Sequence, residues 1–442
     1  LPQRALQGHT MRQMKDSGIE WIGEIPEGWE VRKVKKIFSI VNGSTPKSDY
    51  SDFWDGDIIW VTPAEMSDDI YIIDNSKRKL TTLGYTSCGT TLVPKNSILI
   101  SSRAPIGQVA LAGNELCTNQ GCKALVSNDE ISEKFFCYFF KIQSSALNSL
   151  GKGTTFLELS SSELGNFIVP YPPLEEQQRI ADYLDAKCAY IDQCLELTRQ
   201  SMEKLRAYKL SCITEAVTKG LDPDVPLKDS GVPWIGKICE HYEIIKIKYF
   251  TDIIRGKFSH RPRNDPRFYN GEYPFIQTGD IKISNKYITK YSQTLNDNGF
   301  NISRQFPSGT IVMAIAANVG DVAILDFDAC FPDSVIGFTN LININKLFFY
   351  YTLITLKQVF IEKSTISTQL NLNIEIVNEV KIPYPPLPEQ ERIAAYLDKK
   401  CARIDALLEE KQALLDKLAE YKKSLIFECV TGKREVPSCW NR

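Results

Sequence analysis

The sequence is poor in histidine and contains no C-x-x-C pair, so it lacks the residue patterns that most often hold a metal ion. Its 442 residues include three histidines and 12 cysteines, and spacings such as Cys117 to Cys122 and Cys188 to Cys194 fit neither zinc nor redox sites. Twelve cysteines in a chain of this size do not indicate a disulfide framework. We therefore expect reduced, mostly buried thiols in a cytoplasmic protein, and no metal.

Long hydrophobic runs and a strong charge imbalance are also missing. No apolar run reaches the ~18 residues of a membrane span, and LFFYYTLITL from Leu347 has the length of a core element. The start of the chain lacks the order of a secretion signal. We expect residues 1–14 to be a tail in which everything before Met11 is an added segment. The net charge of -2 does not indicate nucleic acid, so any basic surface must be local.

Motifs of common catalytic sites are missing as well. VPYPPL lacks the asparagine of the N-P-P-[YF] loop of amino-methyltransferases, and GKGTTF at Gly151 does not have the spacing of a phosphate-binding loop. There is no G-x-S-x-G elbow for a serine nucleophile. The sequence offers His241 and His260 no obvious carboxylate or thiol partner. We therefore expect a non-catalytic chain without a cofactor of its own.

The main feature that is present is an internal repeat at an offset of 213 residues. YPPLEEQQRIADYLDAKCAYID from Tyr171 returns as YPPLPEQERIAAYLDKKCARID from Tyr384, with five of the 22 positions changed. KDSGIEWIGEI at Lys15 returns as KDSGVPWIGKI at Lys228. The chain is therefore two copies of one unit, each a variable globular part followed by a nearly constant helical part.

The constant part predicts a long helix in each copy. Because proline does not fit inside a helix, PYPPL must precede it, and Glu175 and Glu176 then suit the first turn. Apolar residues follow at spacings of three and four, as in the seam of a coiled coil. The predicted seam consists of Leu184, Cys188, Ile191, Leu195 and Leu205 in the first copy and Leu397, Cys401, Ile404, Leu408 and Leu418 in the second.

Two helices with matching apolar stripes can cover each other. The globular part between them must lead from the end of one helix to the start of the other, which favours an antiparallel pair inside one molecule. Lys209 and Lys422 occupy matching seam positions and would fix the register of this pair. The alternative is two unrelated helices, each packed on its own globular part.

The globular parts predict a mixed α/β structure. Short β-rich runs such as DIIWVT at Asp57 and SILIS at Ser97 alternate with turn residues, and EKFFCYFFKIQSSAL from Glu133 predicts a helix with core phenylalanines. The expected fold class is α+β. It consists of two similar mixed α/β domains joined by two long antiparallel helices that form an intramolecular coiled coil with pseudo-twofold symmetry.

Two similar but non-identical domains on a rigid spacer are suited to measuring a distance, and DNA with two half-sites at a fixed separation is a natural target. Motifs in the sequence point the same way. GSTPKSDYSDFWDGDIIWVTPAEM, SSRAPIGQVAL, TNQGCKAL, GTTFLELS and the paired PPLEEQQRIADYLD and PPLPEQERIAAYLD resemble the specificity subunit of type I restriction-modification systems. The resemblance extends from residue 15 to residue 433.

This resemblance implies five regions after the tail: target recognition domain 1 (15–170), spacer helix 1 (171–219), target recognition domain 2 (220–383), spacer helix 2 (384–433) and a second tail (434–442). Each domain would read one half of a split, asymmetric site in double-stranded DNA. The helices would set the gap and dock two modification (methyltransferase) subunits. S-adenosylmethionine would belong to the modification subunits, and ATP and Mg to the restriction subunits, which are the motor and nuclease. No membrane is implied.

Basic and polar stretches supply the candidate DNA contacts. RGKFSHRPRNDPRF is the strongest, because its composition predicts an exposed basic loop suited to phosphates and guanine edges. It offers Arg255, Lys257, His260, Arg261, Arg263 and Arg267. By the family pattern, the corresponding stretch of the first half offers Ser44, Thr45, Lys47 and Tyr50. NSKRKL adds Lys77, Arg78 and Lys79 as phosphate contacts.

Three further candidates have two interpretations each. Arg103 in SSRAPIG, where the second half has Ala316, either reads a base or holds a loop in place. Asn119 and Gln120 either read adenine through their amides or make structural hydrogen bonds. For the whole chain, the alternatives are the specificity subunit of a system that fuses cutting and methylation in one partner, and a protein scaffold that reads no bases.

Overall fold

The computed structural model describes residues 12–67, 71–152, 157–260, 264–366 and 370–437. The chain forms two compact units. Unit 1 takes Leu1–Thr198 together with Ala413–Arg442, and unit 2 takes Arg199–Gln412. Both divisions fall inside a long helix, so each unit contains one half of each long helix.

Unit 1 is built on a main sheet and a smaller one. Its strands are β1 (Met14–Asp16), β2 (Glu24–Pro26), β3 (Glu30–Lys33), β4 (Phe38–Asn42), β5 (Trp54–Val61), β6 (Ile72–Ile73), β7 (Lys79–Leu80), β8 (Ile98–Ser101), β9 (Val109–Ala112), β10 (Cys117–Thr118), β11 (Cys122–Ser127) and β12 (Ile168–Tyr171). The main sheet has the order β4-β11-β8-β9-β6, and the smaller one β10-β5-β7. The shorter helices are α1 (Val34–Ile37), α2 (Thr82–Thr86), α3 (Glu133–Lys141), α4 (Ser144–Ser149) and α5 (Ser161–Asn166).

The first long helix, α6 (Leu174–Lys219), begins in unit 1 and ends in unit 2. It starts directly after Pro172–Pro173, as proline chemistry predicts. Gly220, with φ of +75°, follows its last residue and ends it in the left-handed conformation that glycine adopts without strain.

Unit 2 repeats this plan. Its strands are β13 (Leu227–Asp229), β14 (Lys237–Cys239), β15 (Glu243–Lys246), β16 (Asp252–Arg255), β17 (Tyr269–Phe275), β18 (Tyr287–Ile288), β19 (Gln293–Leu295), β20 (Gln305–Phe306), β21 (Ile311–Ala314), β22 (Val322–Leu325), β23 (Ala329–Cys330), β24 (Val335–Thr339), β25 (Thr365–Ile366), β26 (Leu370–Asn371) and β27 (Lys381–Tyr384). The main sheet, β16-β24-β21-β22-β18, has the same order of equivalent strands as that of unit 1. The second sheet is β19-β17-β23-β20.

The helices of unit 2 include a second long one. The shorter helices are α7 (Thr278–Ile283), α8 (Asp297–Asn301), α9 (Lys346–Thr355), α10 (Lys357–Glu362) and α11 (Ile374–Glu379), and the long helix is α12 (Leu387–Val430). α12 begins in unit 2 and ends in unit 1, where Gly432 adopts φ of +73° in the turn that follows it.

The two long helices pack against each other in opposite directions. In unit 1, Leu184 and Cys188 of early α6 share a hydrophobic core with Leu425 and Cys429 of late α12. In unit 2, late α6 and early α12 share another core. The predicted antiparallel coiled coil is therefore confirmed. The alternative of two separate helices is wrong, although each half also packs on the core of its own unit.

Burial follows the predicted seam most closely near the globular parts. Leu184, Cys188, Ile191, Leu195, Leu397, Cys401 and Ile404 are buried, whereas Leu205, Leu408 and Leu418 are half-buried. The seam lysines have partners on the opposite helix. In unit 1, Nζ of Lys422 lies 2.6 Å from Asp192, and in unit 2, Nζ of Lys209 lies 2.6 Å from Asp405.

Each long helix is also fixed to its globular part by a buried glutamine. The side chain of Gln177 donates to the carbonyl of Pro172 (2.8 Å) and accepts from the backbone N–H of Ser132 (3.0 Å). Ser132 caps α3, so one amide joins the start of α6 to the start of α3. Gln390 does the same in unit 2, with the carbonyl of Pro385 and the N–H of Asn345, which caps α9.

Tyrosine–aspartate hydrogen bonds add a second link. Tyr138 of α3 donates to Asp185 (2.8 Å), and Tyr351 of α9 donates to Asp398 (2.7 Å). The predicted core phenylalanines of α3 are buried, and the cysteines within the described ranges are free thiols.

Folded structure extends into both predicted tails. Arg12 pairs with Glu176 of α6 (2.7 Å), and β1 begins at Met14, so structure starts before residue 15. At the other end, Val436 belongs to the core of unit 1 and Arg434 pairs with Glu428. The described parts of the two tails are therefore packed on the fold.

Candidate nucleic-acid interface

In unit 1, the end of β4, the start of β11 and the end of β8 lie side by side at one edge of the main sheet. The antiparallel register pairs Asn42, at the end of β4, with Lys123, at the start of β11, and pairs Cys122 with Ser101, at the end of β8. The segments after β4, before β11 and after β8 therefore emerge together. This edge carries Ser44, Thr45, Asn119, Gln120 and Arg103 from the predicted set.

Gly43 allows two of these segments to approach each other closely. A Cβ at this position would lie 2.0 Å from the carbonyl oxygen of Asn119 and 2.3 Å from that of Thr118, so only glycine fits. The next residue, Ser44, donates its N–H to the carbonyl of Thr118 (2.9 Å) and accepts from the indole of Trp60 (3.0 Å). The loop after β4 is therefore anchored on β5 and on the segment before β11.

The amide candidates at this edge make hydrogen bonds within the protein. The side-chain oxygen of Asn119 accepts from the N–H of Gly121 (2.9 Å), and the hydroxyl of Thr45 donates to the side-chain oxygen of Gln120. These contacts agree with the structural interpretation of both amides. Each contact uses one of the two lone pairs of the side-chain oxygen.

Cations and aromatic rings are interleaved beside this loop. The ammonium of Lys47 lies 5.8 Å from the ring centroid of Tyr50, and both residues are exposed. The guanidinium of Arg78 lies 3.5 Å from the ring centroid of Trp54. Lys77 is exposed and Lys79 is half-buried in β7. Stacking holds the guanidinium of Arg78 on a flat ring, an arrangement that suits phosphate contacts.

Arg103 pairs with Glu158, a residue that the sequence did not single out. The contact measures 3.2 Å and explains how the loop after β8 is held. Sequence reasoning also missed Lys123, which is buried inside the apolar strand β11 and donates to Asn42 (2.8 Å). Burial lowers the pKa of the Lys123 ammonium. Neither residue lies in a basic stretch, so composition gave no signal for them.

Unit 2 forms the equivalent edge with different side chains. Gly256 follows β16 and donates its N–H to the carbonyl of Val335, the first residue of β24 (2.9 Å). A Cβ on Gly256 would lie 2.3 Å from the carbonyl oxygen of Phe331, so the close approach seen at Gly43 recurs. Arg255 and Lys257 flank this glycine and are exposed.

Arg304 joins this edge although the sequence gave no reason to select it. Its Nη1 donates to the carbonyl of Arg255 (3.3 Å), and its neighbour Ser303 donates to the carbonyl of Lys257 (2.8 Å). The basic loop is thus anchored on a segment nearly 50 residues away. A single arginine between polar residues becomes recognisable only when the fold brings it to Arg255.

The far end of the basic loop is tied to an aspartate. Arg267 donates to Asp265 (2.7 Å), and His260 lies 3.1 Å from the same carboxylate. The hydrogen bond from Arg267 holds the pKa of Asp265 well below its usual range. The side chain of Arg267 is nevertheless 75% exposed. Arg261 and Arg263 lie outside the described residues.

In the described part of the chain, His, Cys, Asp and Glu side chains nowhere gather in a group of three or more that could hold a metal ion. Among the helices described, none combines the length and apolar character needed to traverse a bilayer.

Comparison with known proteins gives consistent matches. The sequence profile of the "Type I restriction modification DNA specificity domain" matches residues 26–207 and 240–417. The MjaIX specificity subunit of a type I restriction enzyme from Methanocaldococcus jannaschii is 34% identical over 263 residues, which are 58% of this chain and 59% of that protein. The MjaVIII specificity subunit from the same organism is 24% identical over 400 residues, 84% of this chain and 86% of that protein. The chain thus spans only 59% of the length of the MjaIX relative.

Solved structures share the fold. A chain from a study of complex assembly and conformational transition of the type I R-M system superimposes with a TM-score of 0.72 at 17% identity, over 93% of this chain and 99% of that one. The HsdS subunit from Thermoanaerobacter tengcongensis gives a TM-score of 0.51 at 16% identity, over 93% and 98%. The profile matches most of the chain in two copies, and the protein therefore belongs to the family of type I restriction-modification DNA specificity proteins.

Proposed function

We propose that this chain is the sequence-specific DNA-recognition subunit of a type I restriction-modification complex, and that each unit reads one half of a split, asymmetric site. One observation carries the proposal. Both units bring chain segments to the same edge of an equivalent sheet, after β4 and β8 in unit 1 and after β16 and β21 in unit 2. Basic side chains lie there after β8 in unit 1, at Arg103, and around Gly256 in unit 2, at Arg255 and Lys257. The side chains presented there differ, as two different half-sites require.

Within this proposal, the two edges divide their contacts between phosphates and bases. Arg255, Lys257 and Arg304 in unit 2 and Lys47 and Arg78 in unit 1 supply positive charge for the DNA backbone. The net charge of the whole chain is -2, so binding depends on these local clusters. Base contacts come from shorter, firmly anchored segments, because a fixed side chain can discriminate between base edges.

The long helices set the gap between the half-sites and dock two modification subunits. α6 has 46 residues and α12 has 44, and both run without interruption from one unit into the other. At ~1.5 Å per residue, each is a rod of about 65 to 70 Å. A helix of constant length is suited to set the gap between two half-sites.

The chain contributes recognition and no chemistry. S-adenosylmethionine is held by the modification subunits, and ATP and Mg by restriction subunits with motor and nuclease activity. The assembly acts on double-stranded DNA in the cytoplasm. The absence from the sequence of the methyltransferase asparagine and of a nucleotide-binding loop supports this division of labour.

Methylation mapping of the source organism, with and without this gene, tests the proposal. We expect one split, asymmetric methylated motif to disappear when the gene is removed and to return with a complementing copy. An unchanged set of methylated motifs would contradict the proposal, provided that the modification genes are expressed. Equal affinity of the assembled complex for all DNA sequences would instead support a scaffold that reads no bases.

A further inference from the structure

An ion pair in unit 1 lies at the edge where we propose that DNA binds. The Nε and Nη2 atoms of Arg103 each lie 3.2 Å from Oε2 of Glu158. The two residues also face each other in an isolated antiparallel bridge just after β8. The side chains are 46% and 41% exposed. The pair is therefore held in place by the protein and remains accessible to a ligand.

The geometry of the pair determines which edge of the guanidinium faces outward. An arginine side chain has five N–H donors in a planar fork. Glu158 accepts from the edge formed by Nε and Nη2. The terminal edge of Arg103 has one parallel N–H on each of Nη1 and Nη2, and Glu158 does not accept from it. Two parallel donors match the O6 and N7 acceptors of guanine in the major groove.

Unit 2 has a different pair at the equivalent bridge. Ala316 faces Asn371 there, just after β21. The turns that follow share a glycine in the left-handed conformation, since Gly107 and Gly320 adopt φ of +86° and +81°, but they begin differently. The Ala104–Pro105 peptide is cis in unit 1, whereas Ala317 of unit 2 adopts φ of +61°. Alanine has no donor, so this bridge cannot present an arginine fork. The bridge and the order of the main-sheet strands recur in both units, while the side chains at the bridge differ. Such a difference is expected where two half-sites carry different bases.

We propose that Arg103, oriented by Glu158, recognises a guanine in the half-site bound by unit 1. The bridge position after β8 and β21 is then a specificity-determining position of each unit. Glu158 is a positioning residue, since it fixes the plane of the guanidinium and does not itself contact the base. This inference rests on the proposed function, because it requires that the edge of the sheet contacts DNA bases.

Selection from a random duplex DNA library tests the inference. The probe is offered to the full chain assembled with the modification subunits of its source, and the enriched sequences are read for each variant. The variants are R103K, R103A and E158Q. Arg32 and Glu30 form a second Arg–Glu pair in unit 1, on β3, with side chains that are 37% and 64% exposed, so R32K and E30Q are matched controls.

The R103K variant distinguishes recognition of a base by Arg103 from a structural role or a phosphate contact. It keeps the charge and can still pair with Glu158, but it lacks the fork. We expect R103K and R103A to lose discrimination at one G·C pair of one half-site by roughly ten- to hundredfold, with every other position unchanged. R103K should keep the salt dependence of binding. E158Q should give a smaller loss at the same position, and both controls should select the wild-type motif.

Two outcomes would overturn the inference while leaving the proposed function intact. In one, R103K selects the complete wild-type motif. In the other, R103A weakens binding to all sequences equally. If the wild-type complex enriches no motif at all, the proposed function itself fails, and the inference fails with it.

Discussion

The two units share several buried contacts at equivalent positions but differ where DNA is expected to bind. Gln177 and Gln390 join a long helix to a capped helix of the same unit, with the same donors and acceptors. Gly43 and Gly256 allow the same close approach of backbone. These contacts lie at the repeat offset of 213 residues, although the surrounding globular sequences have diverged strongly.

The sheet edges at which we propose that DNA binds differ between the two units. Unit 1 presents Lys47, Tyr50 and the Arg103–Glu158 pair, whereas unit 2 presents Arg255 and Lys257. Residues that make buried hydrogen bonds cannot change freely, because an unpaired buried donor or acceptor is costly. Exposed side chains at the end of a strand carry no such cost, so they can change with the base that each half-site requires.

The largest effect is expected on the free energy of unfolding, when the buried side-chain amide of Gln177 or Gln390 is removed. Replacing Gln177 with Ala leaves the N–H of Ser132 and the carbonyl of Pro172 without their partners. We expect the free energy of unfolding of unit 1 to fall by about 2 to 4 kcal/mol. Q390A should lower that of unit 2 by a similar amount. Chemical denaturation followed by circular dichroism measures both.

The control for this prediction is Q193A, which removes an exposed glutamine from the same helix, α6. It should change stability little, because water already solvates that side chain. Similar stabilities for Q177A and Q193A would show that the buried amide is not a structural link. A large cost at only one of the two repeats would show that the framework is not energetically equivalent in the two units.

The sequence was sufficient to predict the parts of the fold that follow from periodicity. The proline pair, the apolar spacing and the repeat predicted α6 and α12 and their antiparallel pairing. The sequence could not predict which cations meet, because Arg304 reaches Arg255 only through folding across 49 positions. Glu158 was missed for the same reason, since nothing in its local sequence connects it to Arg103.

The next effect concerns charge at the recognition edges. Arg255 and Lys257 flank Gly256 at the edge of unit 2, so removing both should weaken DNA binding more than removing Lys47 alone from unit 1. We expect R255A together with K257A to reduce the slope of log K against log[salt] by about 2 and to lower affinity about tenfold at low salt. Titration of the assembled complex with its motif at several salt concentrations measures this.

The matched control removes two exposed lysines from unit 2 at Lys363 and Lys381, which changes the net charge equally. Its salt slope should remain that of the wild type, because neither lysine lies at the sheet edge. If both double variants lower the slope alike, binding depends on total charge and not on the edge. K47A in unit 1 should reduce the slope by about 1.

A smaller effect is expected at the seam lysines, where the two ion pairs have equal lengths but unequal exposure. Asp405, the partner of Lys209, has a side chain that is 25% exposed, whereas Asp192, the partner of Lys422, is 54% exposed. Water screens the more exposed pair. Double-mutant cycles to alanine should give a coupling energy of about 1 kcal/mol for the first pair and a few tenths for the second. Equal couplings would show that exposure does not control them.

The smallest predicted effect is a pH dependence confined to unit 2. Hydrogen bonds from Lys246 and Lys248 lower the pKa of Glu379 to about 2. At the equivalent position unit 1 has Asn166, which carries no charge. Because the folded pKa is depressed, the ionised carboxylate stabilises unit 2 above its usual pKa, and this contribution is lost as the pH falls toward 2.

The variant E379Q should therefore remove part of the acid sensitivity of unit 2 while leaving that of unit 1 unchanged. Urea unfolding at several pH values between 5 and 2 compares it with the wild type and with E375Q, a control on the same helix, α11. We expect the wild type and E375Q to lose stability together as the pH falls. The side chain of Glu379 is 51% exposed, so the difference should be small and should shrink further at high salt. An E379Q curve parallel to that of the wild type would show that solvent already screens this bridge completely.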